Sequence, residues 1–461
     1  MYYIVGAGPT GLTCAHLLVA CGKRCVIIEA QATVGGAHAV HRTRDGLFSE
    51  HGPRVYFDNY ATFIALVNSF GGSFEDAFVD YGHSVGGSAL ALARHLSLGE
   101  LGALATAFGA HLVAPGLYAR TTVAEWMDAR GFSTASRARL DQMCATVDGA
   151  GAARMTLAQL LEVLNQNLGY QIKQPRRAND VGVFADWKRH LERNHCEFWM
   201  EERVTSAGPT RLATSRRAAL DLDPARDVLL LAVPPKDAHA ILQLPRTKEL
   251  AETSSYNTYI PITFHWHARV RVPSAWGGAK VTPWGMLFIA MSEYLEGEPT
   301  QTIVQTSIAF VDRASDVTGK TADETPREAD LVAEAWRQLG LDMPWYDVAI
   351  VSPRVWRGDD GRWHNADTAY MHTTAEVNSD ARVHANVFMI GAHNRRGWYA
   401  ATALEAACAN AVSVMAEVAP ETRGALGPVP RPMGVRGLVA TLATVLGVAI
   451  VVLLLSRPAR K

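Results

Sequence analysis

The sequence predicts an α/β fold: a domain built on a parallel sheet, interleaved with an α+β domain and followed by a C-terminal transmembrane helix. Three observations predict it. Residues 2–29 read as strand, glycine-rich turn, helix, strand. A second apolar strand, Asp227 to Val233, returns about 200 residues later, and a third, Val387 to Ile390, returns near the end. Leu438 to Leu455 carries no charge, and at ~1.5 Å per residue it matches the hydrocarbon thickness of a bilayer.

The chain has 461 residues, more than one hydrophobic core usually supports. The recurrence of buried strands divides it. Residues 1–75, 196–255 and 384–420 form the first domain, and 76–195 and 256–383 form the second. Within the second, 76–195 shows helical spacing from Leu98 to Leu117, Val123 to Asp128 and Leu157 to Leu168. Residues 256–383 are β-rich at Tyr259 to His267, Gly285 to Ser292 and Thr302 to Asp312, with a helix at Glu328 to Leu339. Residues 421–437 are a Gly/Pro/Arg-rich linker and 438–455 the membrane span, which places a single-pass anchor behind a cytosolic globular part.

The formal net charge is −1, and no basic face stands out, so nucleic acid is not an expected partner. The six cysteines are scattered within apolar patterns and read as reduced core thiols rather than a disulfide framework. No Cys/His cluster has metal-ligand spacing, so no metal is expected; His265 and His267 are two apart without a third ligand nearby.

Gly6-Ala7-Gly8-Pro9-Thr10-Gly11 is G-x-G-x-x-G, set between a strand and a helix, with Glu29 at the end of the next strand. That is the Rossmann arrangement: Gly6 for the tight turn, Gly8 for the approach to a pyrophosphate, Gly11 for helix–strand packing. Pro9 and Thr10 open a helix whose N-terminal N–H groups and dipole suit phosphate. Glu29 is positioned to accept hydrogen bonds from the ribose hydroxyls. No second such motif and no C-x-x-C occur, which argues against the pyridine-nucleotide disulfide reductases and for dioxygen or a quinone as electron acceptor.

Beyond Glu29 come Gly35-Gly36 and then Glu50-His51-Gly52-Pro53-Arg54. With Asp227 to Pro234, Phe388-Met389-Ile390-Gly391 and Ala403 to Ala407, these segments resemble the flavin amine oxidase, phytoene desaturase and protoporphyrinogen oxidase superfamily. The Glu50 to Arg54 segment also resembles UDP-galactopyranose mutases. The resemblance implies a Rossmann-type FAD-binding domain with an α+β substrate domain, non-covalent FAD and a small-molecule substrate. It implies FAD contacts at Gly6, Gly8, Pro9, Thr10, Gly11, Glu29, Gly35, Gly36, Arg54, Val204, Gly391, Ala392 and Leu404. Two positions depart from the pattern: Ala37 stands where the family has arginine, and Ala392 where it has an acidic residue. Nearby His38, Arg42 and Asn394 are candidates to compensate.

On the substrate side, Trp398 and Tyr399 follow the last strand in a loop (His393 to Tyr399) that the resemblance sets over the flavin. Lys280 sits in the β-context where amine oxidases place a flavin-facing lysine. A second polar-aromatic patch, Trp356, Trp363, His364 and Tyr370, reads as core and rim of the substrate domain. The expected activity is hydride transfer from an amine or a conjugated lipid-like substrate to flavin. A flavin-dependent isomerase and a catalytically silent flavin-binding module are the alternatives.

Overall fold

The computed structural model describes residues 1–461 except 71, 150, 274–275, 278–280, 366–369, 374–379, 400–402 and 456–461. The first sheet has six strands, in spatial order Arg382–His384, Val387–Met389, Val228–Leu231, Tyr2–Val5, Cys25–Ile28 and Cys196–Trp199. All pairings are parallel except that of the edge strand Arg382–His384. The central strands are short and continuously apolar because both faces are covered, as parallel sheets require. Ile4, Ile27 and Leu230 face one core with helix Pro9–Ala20 and helix Leu404–Val418, while Val5, Ile28 and Leu229 face the other.

A second, antiparallel sheet runs Trp276–Gly277, Leu287–Ala290, Thr302–Ile308, Ile260–Trp266, Val348–Val351. Its core is aromatic: Phe264, Trp266, Trp284 and Trp336 pack together, Trp336 arriving on helix Glu328–Leu339. Helices Leu98–Val113, Val123–Ala129, Thr134–Asp148 and Leu157–Asn167 carry a separate apolar core. Three of these four start with a capping box, at Ser97, Thr122 and Thr156. Each box satisfies N–H groups that a helix start leaves unpaired.

The C-terminus corrects the sequence reading. Among the described residues no helix is long and apolar enough to cross a membrane, so the transmembrane helix, the membrane partner and the single-pass localisation read from residues 438–455 are not supported. The helix that holds this run, Val435–Leu455, begins three residues earlier, and its first turn is fastened to the folded body. Arg436 donates to the carbonyls of Leu112 and His111 and to the Glu162 carboxylate, and its own N–H donates to Asn165 Oδ1. Counting uncharged residues registers apolarity and misses these anchoring contacts.

Candidate functional site

The first β-α-β unit makes its turn from backbone rather than side chains. Gly6 has φ +101, and a Cβ there would lie 2.8 Å from the Ala232 carbonyl oxygen on the neighbouring strand. A Cβ on Gly11 would lie 2.0 Å from the Gly6 carbonyl oxygen. Gly8 differs: a Cβ would meet nothing nearer than 3.7 Å, the Gly36 Cα. Gly36 closes the other side, since a Cβ on it would lie 2.9 Å from the Gly8 Cα. The result is a cradle of bare backbone at the N-terminus of helix Pro9–Ala20, where unpaired N–H groups and the helix dipole favour an anion.

Glu29 stands beside this cradle. Its carboxylate accepts the Ala7 N–H at 2.7 Å and the Gln31 N–H at 2.8 Å, tying the glycine turn to the end of the second strand. Burial raises its pKa, against those backbone hydrogen bonds and the nearby Arg354.

From Glu29 a cavity of about 740 Å³ runs past Gly6, Gly8 and Gly36 to Gly391, Leu404 and Tyr399. At the Glu29 end it is lined by Glu202, Val204 and Asp237. At the far end the wall is Phe57, Tyr60, Leu164, Ile172, Leu287 and Phe288. Among the described residues lining that far end none is acidic and none is a lysine; the cation there is Arg54, which donates to the His51 carbonyl and to the Tyr259 hydroxyl.

Of the residues singled out from the sequence, Gly6, Gly8, Pro9, Thr10, Glu29, Gly36, Arg54, Val204, Gly391, Ala392, Leu404 and Tyr399 line this one cavity. Gly11 and Gly35 do not; Gly11 is spent on packing, and Gly35 donates its N–H to the Ala7 carbonyl. Trp398 is not a lining residue either. Its indole N–H is held by Glu405 at 2.8 Å and its ring stands edge-on to Tyr399. Tyr399 donates to Asn167 Oδ1 at 2.7 Å and meets Tyr60 edge-to-face. Lys280 lies outside the described residues. Trp356 is exposed and stacks on His364, whereas Trp363 is buried. Of the candidates to compensate, His38 lines the cavity. Arg42 is paired with Asp180 and Glu298, and Asn394 holds the Gly391 N–H.

The sequence reading missed two charged residues. Glu405 is fully buried in the first turn of helix Leu404–Val418 and accepts the N–H groups of Thr62 and Phe63 as well as the Trp398 indole, thereby capping helix Ala61–Ser69. Arg354 is also buried and donates to the Gly36 carbonyl at 2.6 Å. It lies between strands Val348–Val351 and Val355–Arg357, and nothing in the local sequence sets it apart from Arg357 three residues on. Glu50, singled out in the Glu50 to Arg54 segment, lies on the short strand Phe48–Glu50; burial pushes its carboxyl up to about 8 despite Arg54.

Comparison with known proteins agrees with this architecture. Residues 4–70 match the NAD(P)-binding Rossmann-like domain family. A putrescine oxidase from Kocuria rosea is 40% identical over 68 residues, 15% of this chain and 14% of that enzyme's length. A putrescine oxidase structure bound to putrescine superposes with a TM-score of 0.63 at 14% identity, over 90% of this chain and 98% of the other. The cyclohexylamine oxidase of Brevibacterium oxydans gives 0.62 at 13%, over 92% and 99%. The chain shares the fold of these two amine oxidase structures. A reduced UDP-galactopyranose mutase shares that fold, with a TM-score of 0.63 at 13% identity over 93% of this chain and 96% of the other.

FAD suits the donor set. The backbone cradle at Gly8 and Gly36 fits a diphosphate, Glu29 fits ribose hydroxyls, and one continuous cavity leads from there to a largely apolar chamber beside the N-terminus of helix Leu404–Val418.

Proposed function

We propose that this chain is an FAD-dependent oxidoreductase of the amine oxidase type, acting on an apolar amine or a conjugated lipid-like substrate. The observation that carries the reading is the single cavity joining the phosphate cradle to a chamber walled by aromatic and aliphatic side chains. Bound there, FAD supplies two-electron oxidation: a hydride leaves a substrate C–H bond, and the electrons pass on to dioxygen or a quinone.

The chain's own residues bind, orient and desolvate. Glu29 and the start of helix Pro9–Ala20 take the ribose and phosphates. Helix Leu404–Val418 directs its positive end at the chamber, where Ala403, Leu404 and Ala407 form the wall, and favours negative charge arising there. Tyr60, Tyr399, Leu164 and Phe288 exclude water and grip an apolar substrate. A dication such as a diamine finds no carboxylate among the described residues of that chamber, so a substrate that is neutral or singly charged fits better.

A flavin-dependent isomerase is the second reading, favoured by the mutase's shared fold and by the resemblance of Glu50 to Arg54. One experiment separates the two. The oxidised, FAD-loaded protein is mixed anaerobically with monoamines, polyamines, porphyrinogens and carotenoid precursors while the flavin absorbance is followed, and the oxidised and dithionite-reduced forms are each assayed with nucleotide sugars. Bleaching by an apolar monoamine or a conjugated lipid supports the proposal. Turnover of a nucleotide sugar only after prior reduction supports the isomerase, and a flavin that no substrate bleaches but dithionite reduces points to a binding module.

A further inference from the structure

Ala37 follows the Gly-Gly turn at the position where the resembling family carries an arginine, and it lines the cavity beside Gly36. A guanidinium reaches this turn from elsewhere. Arg354, 318 residues downstream of Gly36, lies between strands Val348–Val351 and Val355–Arg357 and donates its Nη1–H to the Gly36 carbonyl at 2.6 Å. The residue is 4% exposed and lines the same cavity. Because Gly36 abuts Gly8 across the cradle, the guanidinium stands at the one place where bare backbone lets a diphosphate approach.

We propose that Arg354 is a pyrophosphate-binding residue, a cation delivered from the second sheet to the Gly-Gly turn in place of an arginine at position 37. The inference rests on the dinucleotide reading of the cavity, and adds to it the residue that neutralises the diphosphate. A buried guanidinium is costly without a matching anion. Glu29 is the carboxylate that stabilises the charged form of Arg354 here, and a diphosphate at the cradle adds to it.

Tyr259 also favours the charged form of Arg354, Arg54 opposes it, and burial pulls Arg354 down to about 10. A diphosphate beside the guanidinium favours its charged form, and a planar guanidinium matches phosphate oxygens better than an ammonium does. Since Arg354 belongs to the second sheet's side of the molecule, ligand binding also ties the two sheets together.

The test compares the wild type with Arg354→Met, Arg354→Lys and the double variant Arg354→Met/Ala37→Arg. Flavin-stripped protein is titrated with FAD, with ADP as a diphosphate probe and with riboflavin as a probe that lacks phosphate. Arg354→Met is expected to weaken FAD and ADP by about 10- to 100-fold, the range for one charged hydrogen-bonding group, with riboflavin unchanged. The double variant recovers at least part of that loss. FAD and ADP affinities within twofold of wild type would overturn the proposal, and so would equal losses for all three ligands, which signal a purely structural tie to Gly36. Should Arg354→Met fail to fold, Arg354→Lys decides by the same contrast between ADP and riboflavin. Wild-type protein that binds ADP through Arg354 but not FAD would sink the FAD reading and leave this inference standing; a wild type that binds neither would sink both.

Discussion

At the end of the cavity that passes Gly6, Glu29 and Gly36, backbone atoms come so close that side chains are excluded, whereas at the end that passes Tyr60, Leu164 and Phe288 side chains themselves make the wall. On the proposed reading the first end takes phosphate and ribose, groups common to every dinucleotide, with N–H donors and a carboxylate whose positions the strands set. The second end takes an apolar body by volume, with no carboxylate among its described residues. Small changes at the first end therefore give all-or-none effects, and changes at the second end give graded ones.

The comparison breaks most sharply at two glycines three residues apart. Gly11→Ala puts a Cβ 2.0 Å from the Gly6 carbonyl oxygen, and should cost about 3 kcal/mol of stability from overpacking, read as a lower urea midpoint with or without ligand. Gly8→Val should leave the melting curve nearly unchanged and abolish FAD binding, because its side chain enters the open side of the cradle. Equal stability losses for the two variants would contradict the distinction drawn between packing and ligand space.

Between the two ends, Glu405→Ala strands the buried Thr62 and Phe63 N–H groups and the half-buried Trp398 indole. The expected cost is about 2 to 3 kcal/mol, with increased solvent exposure of Trp398 in fluorescence. An unchanged unfolding midpoint would show that helix Ala61–Ser69 does not depend on this cap.

Glu50 offers a pH test. Its carboxyl is raised by burial to about 8, so above ~4.3, its value in an unfolded chain, the unfolded state is ionised while the folded state keeps its proton. Stability contributed by the protonated form is complete at low pH and falls as pH rises to about 8, by at most ~1.4 kcal/mol per unit. Glu50→Gln removes that slope. Its stability relative to wild type should grow between pH 5 and 8, and parallel curves for the two proteins would refute the buried, protonated Glu50. The smallest effect is Tyr399→Phe, which loses one hydrogen bond to Asn167 and should cost about 1 kcal/mol without changing FAD affinity.

Legibility in the sequence follows the same divide. The cradle was readable because only glycine satisfies the close approaches at Gly6, Gly11 and Gly36, and because Glu29 ends a strand whose apolar run announces itself. The strands at 228–231 and 387–389 were readable for the same reason, being continuously apolar where both faces are covered. Arg354 and Glu405 were not, since nothing local in Ser352-Pro353-Arg354 or in the alanine-rich helix tells which distant backbone groups these charges meet. Trp398, adjacent to Tyr399 in the chain, gives its indole N–H to Glu405, a partner seven residues on that the sequence does not announce. The run at 438–455 misled because hydropathy has no term for Arg436 and its three partners on the folded body.

The central claim is that the backbone cradle and the apolar chamber are two halves of one FAD site. Flavin stoichiometry after native purification and reconstitution, with the nucleotide released by acid and identified, tests it most directly. The account predicts one FAD per chain for the wild type, released intact, and none for a folded Gly8→Val. A wild type that stays colourless after reconstitution with FAD, or a Gly8→Val protein that binds FAD as the wild type does, would contradict it.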